Sequence, residues 1–142
     1  MTGPVYMLDT NIISEALRNP FGRLKDHVAR FDDGLISTSA IVASEMRYGA
    51  GKKGSARLIE RVEAILNRIE VLPYDDKASR HFGEIRAELE RRGQPIGWGD
   101  FFIAAHARSL DLTLITNNVR EFSRVPGLNV ENWLEPENAD VE

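Results

Sequence analysis

Four polar side chains stand far apart in the sequence, each close to the start or end of a strand or helix pattern. Asp9 closes the run VYMLD, Glu45 lies in SEMRYG, Asp100 follows GWG, and Asn117 follows TLIT. Hard divalent cations such as Mg2+ prefer oxygen ligands, and in phosphate chemistry a few carboxylates hold them together with water and substrate. Three carboxylates and an amide therefore predict a Mg2+ site that acts on phosphate esters.

Short apolar segments that alternate with helical patterns would position these side chains. The predicted strands are residues 5–9, 35–37, 70–72, 113–116 and 129–131. One helical stripe consists of Ala78, Phe82, Ile85 and Leu89, which follow the period of one helix face. Asp75 or Asp76 is expected to cap this helix, and Gly93 to end it.

Strands that alternate with helices predict a three-layer α/β/α sandwich around a central parallel sheet. In such sheets, ligands bind beyond the carboxyl ends of the strands. Asp9 and Asn117 are placed there by the sequence alone. The fold pattern and the chemistry of the four side chains therefore point to the same edge of the sheet.

Each of these residues also has an ordinary structural explanation. Asp9 and Asp100 could cap helices, because carboxylates accept hydrogen bonds from the first turn, and Glu45 could be a solvent-facing helical residue. However, Glu45 borders the apolar positions Ile41 and Val42, and Asp100 opens the apolar run FFIAA. One shared site explains four such positions better than four coincidences.

Length and composition predict one globular domain over residues 1–133, followed by an acidic, disordered tail at residues 134–142. The absence of cysteine excludes disulfides and thiolate zinc sites and suits a cytoplasmic protein. Neither a secretion signal nor an apolar run long enough for a membrane span is visible.

The net charge of −4 includes five acids and no base after residue 130, so residues 1–130 carry a net charge of +1. Within residues 46–59 there are four bases and no acid: Arg47, Lys52, Lys53 and Arg57. Phosphate contacts depend on local basic density, and a solvated surface loop is the ordinary alternative for this run.

Several other catalytic motifs are excluded. The histidines (His27, His81 and His106) lack metalloprotease spacing, and His106 is expected to be a packed, hydrogen-bonded residue. GAGKK has neither the glycine spacing nor the Ser/Thr of a phosphate-binding loop. Asn11 stands where a haloacid-type phosphatase needs its second aspartate, so that chemistry is excluded as well.

Four segments together resemble the PIN-domain toxins of bacterial toxin–antitoxin pairs, most closely the VapC family and then the FitB group. They are VYMLDTNIISE, STSAIVASEMRYGAGK, GEIRAELERRGQPIGWGDFFIAAHA and LITNNVREFSRVPGLNVENW. The resemblance implies a PIN-like fold and a Mg2+-dependent endoribonuclease that cuts tRNA or rRNA, with Mn2+ expected to substitute. It also implies a homodimer and silencing by a small VapB-like antitoxin that binds DNA, so that this chain contacts DNA only indirectly.

By position, the resemblance assigns Asp9, Asp100 and Glu45 as metal ligands, and these three with Asn117 as the catalytic residues. Many relatives have a fourth acid where this chain has Asn117, which could coordinate or orient water as a neutral group. Glu121 follows four residues later and could reach the site.

Three functional hypotheses follow. The first is RNA hydrolysis by water that the metal activates, with the four bases of residues 46–59 holding the RNA backbone. The second is a receiver-like signalling domain, which would need adjacent acids after the first strand. The third is a catalytically silent PIN fold that binds RNA or a protein.

Two apolar stripes are candidates for binding a helix of the antitoxin, with dimer or core contacts as the ordinary alternative. They are Leu58, Val62, Ile65 and Ile69, and Leu17, Phe21, Leu24 and Val28. The acidic site could also accept an arginine or lysine of the antitoxin in place of the metal.

Overall fold

Five short parallel strands form one central sheet in the computed structural model, which describes residues 3–20, 22–29 and 33–134. In spatial order the sheet reads β3-β2-β1-β4-β5, and every neighbouring pair is parallel. The strands are β1 (Tyr6–Leu8), β2 (Ile36–Ser39), β3 (Glu70–Leu72), β4 (Thr113–Ile115) and β5 (Val130–Glu131).

Helices connect these strands and flank the sheet, which confirms the predicted PIN-like α/β/α architecture. They are α1 (Thr10–Arg18), α2 (Arg23–Val28), α3 (Ala40–Lys53), α4 (Ala56–Arg68), α5 (Asp76–Arg91), α6 (Trp98–Ser109) and α7 (Val119–Phe122). Asp75 caps α5 by accepting a hydrogen bond from the Ala78 amide at 3.0 Å, and Gly93 follows the helix with a positive φ of 71°.

All five predicted strands are present; β3 has the predicted bounds, and the bounds of the other four differ by one or two residues. β1 ends at Leu8 because Asp9 leaves the strand to cap α1. β2 runs two residues further than predicted because its polar side chains are buried. The hydroxyl of Ser37 donates to the Tyr6 carbonyl at 2.9 Å and that of Thr38 to the Leu8 carbonyl at 2.7 Å, so the neighbouring strand satisfies them.

The core lies on both faces of the sheet. Met7, Leu114 and Ile115 on the central strands are fully buried. α6 packs deeply, with seven buried residues along its length, so its first turn is held close to the sheet edge. This packing places Asp100, in that first turn, beside the carboxyl ends of β1 and β4.

Two predictions fall wholly or partly on residues that the structure does not describe. Residues 135–142 of the predicted acidic tail lie outside the described residues, as does Phe21 of one apolar stripe. Leu134, which was assigned to the tail, packs instead against the core. Within the described part of the chain, no helix is both long and apolar enough to span a membrane.

Candidate active site

The carboxyl ends of β1 and β4 meet at the point where the strand order changes direction. From β1 the chain proceeds outward to β2 and β3, and it then returns to β4 and β5 on the other side. The amide of Asp9 donates to the Ile115 carbonyl at 3.0 Å, which ties the two strand ends together. Open parallel sheets bind ligands at such a switch point.

Asp9 is buried at this point and its carboxylate is held in place. Its Oδ1 accepts a hydrogen bond from the Ile12 amide at 2.9 Å, which makes it the N-cap of α1. Burial raises the pKa of Asp9, while hydrogen bonds from the Thr116 side chain and the Ile12 and Asn11 amides oppose this rise. The carboxylate that the sequence predicts as a metal ligand is therefore also the N-cap of α1.

Asp100 carries the largest electrostatic perturbation of the site. Its pKa is raised to about 6, first by burial and then by the neighbouring carboxylates of Glu121, Asp9 and Glu45, in that order. Like charges at close range disfavour the ionised form. Four acids from four separate segments are thus brought within electrostatic reach of one another.

Glu45 lies on the exposed side of α3 and is oriented by its neighbours. Its Oε1 accepts a hydrogen bond from the Thr10 hydroxyl. The first turn of α6 lies directly against the other oxygen, since a Cβ atom at Gly99 would stand 3.0 Å from Glu45 Oε2. A Cβ atom at Gly97 would similarly stand 3.3 Å from Asp100 Oδ2. The glycines around Asp100 therefore leave room for two carboxylates.

The last segment contributes through residues other than the predicted one. Asn117 is exposed, whereas its two neighbours join the network. The Asn118 amide donates to Thr116 Oγ1 at 2.9 Å, and Asn118 Nδ2 donates to Glu121 Oε1 at 2.6 Å. The catalytic role of Asn117 stays a prediction, and Glu121 supplies the fourth negative charge.

Two polar residues of the site, Thr10 and Thr116, were not predicted from the sequence, and the role of a third, Asn118, was left open. Thr10 follows the predicted ligand Asp9 in LDTN, and Thr116 and Asn118 flank the predicted residue Asn117 in TNN. A hydroxyl or amide beside a strand-end aspartate is a signal that could have found them, because a buried carboxylate needs hydrogen-bond donors.

The donor set fits a hard divalent cation, although the carboxylates do not converge on one point. Among the described residues, no three acidic or histidine side chains form a ready-made metal shell. Their mutual repulsion nevertheless raises the pKa of Asp100, and a cation placed between them would relieve it. Oxygen-only ligands favour Mg2+ or Mn2+ over softer metals.

The basic run divides into one paired residue and three others. Arg47 forms a bidentate ion pair with Glu63, with Nε–Oε2 at 2.8 Å and the second hydrogen bond at 3.0 Å. The basic run was defined over residues 46–59 and does not include Glu63, which lies on α4, sixteen residues after Arg47. Lys52 and Lys53 at the end of α3 and Arg57 at the start of α4 are exposed, so their role in RNA binding stays a prediction.

His106 is a buried packing residue, as expected. Its Nδ1 lies 2.7 Å from the Ser39 hydroxyl, and burial lowers its pKa. His81 Nδ1 accepts a hydrogen bond from Arg108 Nε at 2.8 Å. Neither histidine is among the groups that shift the pKa of Asp9 or of Asp100.

Known proteins are similar over nearly the whole chain. Residues 6–128 match the PIN domain family. The tRNA(fMet)-specific endonuclease VapC of Shigella flexneri is 42% identical over 90% of this chain and 97% of its own. Ribonuclease VapC2 of Haemophilus influenzae is 43% identical, with 91% and 98% covered. A structure of DNA-bound VapBC from Salmonella typhimurium superposes with a TM-score of 0.86 at 40% identity, over 92% and 98% of the two chains. With its PIN fold and its acids at the switch point, the chain belongs to the VapC family of PIN-domain ribonucleases.

Proposed function

We propose that this chain is the toxin of a type II toxin–antitoxin pair and acts as a Mg2+-dependent endoribonuclease on tRNA or rRNA in the cytoplasm. Toxin–antitoxin membership and ribonuclease activity follow from its family. PIN-domain ribonucleases generally depend on divalent metals. The observation that carries the proposal is the cluster of four acids from four segments at the switch point, whose mutual repulsion helps to raise the pKa of Asp100 and would be relieved by a bound cation.

In the proposed reaction, water hydrolyses the phosphodiester and leaves a 5′-phosphate and a 3′-hydroxyl. Asp9 and Asp100 would hold the metal, and Glu45, which Thr10 orients, would complete the site or position the attacking water. A bound Mg2+ lowers the pKa of water and neutralises charge on the phosphate oxygens. Asn118 keeps the Glu121 carboxylate at the rim of the site.

The direct experiment incubates the purified protein with bulk tRNA and rRNA in Mg2+ or in EDTA. The relative from Shigella is named for tRNA(fMet), so initiator tRNA is the first substrate to test. Cleavage in Mg2+, loss in EDTA and recovery with Mn2+ are expected. The alternative, a silent RNA- or protein-binding module, predicts no cleavage under any of these conditions.

Gly99→Ala should make the protein less active and slightly more stable. The added methyl group would stand 3.0 Å from Glu45 Oε2 and displace that carboxylate, and small displacements in a catalytic site cost about tenfold or more in rate. Alanine also favours the helix over glycine by about 0.5–1 kcal/mol. Cleavage rate and thermal melting measure the two effects.

Gly83→Ala on α5 is the matched control, because nothing lies within 4 Å of a Cβ atom there. It should raise the melting temperature by a similar amount and leave cleavage unchanged. Equal activity of Gly99→Ala and the wild type would remove Glu45 from the proposed mechanism.

The antitoxin is proposed to bind an apolar groove to which parts of both predicted stripes contribute, although Leu58 and Val62 do not line it. Leu17, Leu24 and Val28 on one side and Ile65 and Ile69 on the other line a single cavity of about 600 Å3. Val62 and Leu66 of α4 point into the core instead. The groove suits an amphipathic helix, whose apolar face would fill it.

Ala64→Trp should prevent capture by the antitoxin without affecting cleavage. Ala64 is exposed and lines the groove, so an indole at this position fills the space that a partner helix needs. Affinity should fall by about thirtyfold or more, as at an interface hot spot. Growth arrest by the variant should then resist co-expression of the adjacent small gene, which rescues cells that express the wild type.

Asn67→Trp, on the same helix but outside the groove lining, is the matched control and should be rescued normally. Rescue of Ala64→Trp with full copurification would place the antitoxin elsewhere.

We further propose that the chain forms a homodimer and that it contacts DNA only through the antitoxin. The antitoxin could also insert an arginine or lysine into the acidic site.

A further inference from the structure

Trp98 is a large aromatic side chain that the fold leaves exposed beside the acids. The chain has two tryptophans, and while Trp133 is 2% exposed, Trp98 is 63% exposed. Trp98 is the first residue of α6, two positions before Asp100. Their Cα atoms are thus about 5.5 Å apart, from helix geometry. An open indole ring therefore belongs to the same first turn of α6 as Asp100.

The ring is nevertheless held in position. The Arg86 guanidinium lies 3.7 Å from the centre of the Trp98 ring, which is cation–π stacking distance. The rings of Phe82 and Phe102 lie 6.3 Å and 6.4 Å from it. Arg86 is steadied in turn by a 3.0 Å hydrogen bond from its Nε to Glu90. The result is a rigid aromatic platform backed by a guanidinium that is ion-paired with Glu90.

We infer that Trp98 and Arg86 bind single-stranded RNA next to the acids, with Trp98 stacking on one base and Arg86 facing the adjacent phosphate. This inference rests on the proposed ribonuclease function. Trp98 and Asp100 project from different sides of the first helical turn, so the stacked base belongs to a nucleotide beside the scissile one.

The chemistry of the platform favours RNA as its occupant. Every base has a π face that can stack on an indole, and a guanidinium attracts the phosphate backbone, so both halves of the platform match one polymer. Bases in a duplex are already stacked and cannot reach the ring. The platform therefore selects unpaired RNA, such as a loop, with little preference for base identity.

Four variants in cleavage assays test the inference. Trp98→Ala should raise KM for a loop-containing tRNA by about tenfold with little change in kcat, since stacking aids binding more than chemistry. Trp98→Phe should restore most of the affinity, because it keeps a π face. Trp98→Leu keeps apolar packing against Phe82 and Phe102 but should not restore it. Leu110→Ala, exposed at the other end of α6, is the control and should behave as the wild type.

Tryptophan fluorescence gives an independent readout of binding. In an Asp9→Asn background, which prevents cleavage, a single-stranded oligoribonucleotide of about ten nucleotides should quench the emission of Trp98. The same RNA in a duplex should not, and the quenching should be lost in Trp98→Phe, which retains Trp133. Sedimentation of Trp98→Ala shows whether the ring instead holds a second copy of the chain.

Equal KM values for wild type, Trp98→Ala and Trp98→Leu would overturn the inference, as would restoration by leucine. A change in subunit association without a change in RNA binding would overturn it as well. If one of these results is obtained while the wild type still cleaves RNA in Mg2+, the inference about Trp98 and Arg86 is wrong and the proposed function stands. A wild type that never cleaves RNA contradicts the proposed function itself.

Discussion

Asp100→Asn should reduce RNA cleavage by about a thousandfold and abolish growth arrest, and Asp9→Asn should do the same. Asparagine keeps the size of each side chain but removes an anionic ligand, and a metal contributes several kcal/mol to transition-state stabilisation. The Asp9→Asn side chain can still cap α1, because asparagine is as good an N-cap as aspartate. Initial cleavage rates at saturating Mg2+, with circular dichroism to verify the fold, measure the effect.

Asp111→Asn provides the matched control. It is the same chemical change at an exposed position with a positive φ of 56°, a conformation that asparagine tolerates well. Its cleavage rate should equal that of the wild type. Near-normal activity of either site variant would remove the assignment of the acids as metal ligands.

Millimolar Mg2+ should raise the melting temperature of the wild type by about 5–10 °C at pH 7.5, if it exceeds the dissociation constant by about a hundredfold. The folded-state pKa of Asp100, about 6, lies above its usual 3.8. Stability that protonation provides at low pH is therefore lost as the pH rises through about 6, and at pH 7.5 the charged carboxylate destabilises the metal-free protein. A cation bound beside the charged Asp100 carboxylate would remove this destabilisation.

Asp100→Asn separates charge repulsion from other effects of Mg2+. Without metal it should melt above the wild type, because one of the crowded charges is gone, and Mg2+ should then add little. The Asp111→Asn control should respond to Mg2+ as the wild type does. A wild-type melting temperature that is indifferent to Mg2+ would argue against a cation site in the folded protein.

Patterns within single segments predicted the elements of the fold, because strand and helix periodicities are local. The helix stripe from Ala78 to Leu89 and its cap at Asp75 are examples. The extension of β2 through Thr38 and Ser39 was missed because burial of polar side chains depends on a neighbouring strand, which supplies the carbonyl of Leu8. Whether a buried hydroxyl finds a hydrogen-bond partner depends on the tertiary structure and not on its own segment.

The same distinction applies to the site. Asp9 could be placed at a strand end from its own segment, and Asp100 from its glycines and the helix that follows. The ion pair of Arg47 with Glu63 and the hydrogen bond of Thr10 to Glu45 join distant segments, so no local pattern signals them. The role of Asn118 was similarly hidden, because the direction in which two adjacent asparagines point depends on the turn after β4.

The chemistry of the RNA ends tests the central claim, that the acids direct water onto the phosphodiester. Cleavage products of the wild type in Mg2+ would be mapped at both ends, with a second substrate that carries a 2′-deoxy group at the scissile nucleotide. We predict a 5′-phosphate and a 3′-hydroxyl, and continued cleavage of the deoxy substrate, because the attacking group is water. A 2′,3′-cyclic phosphate, together with resistance of the deoxy substrate, would contradict the account.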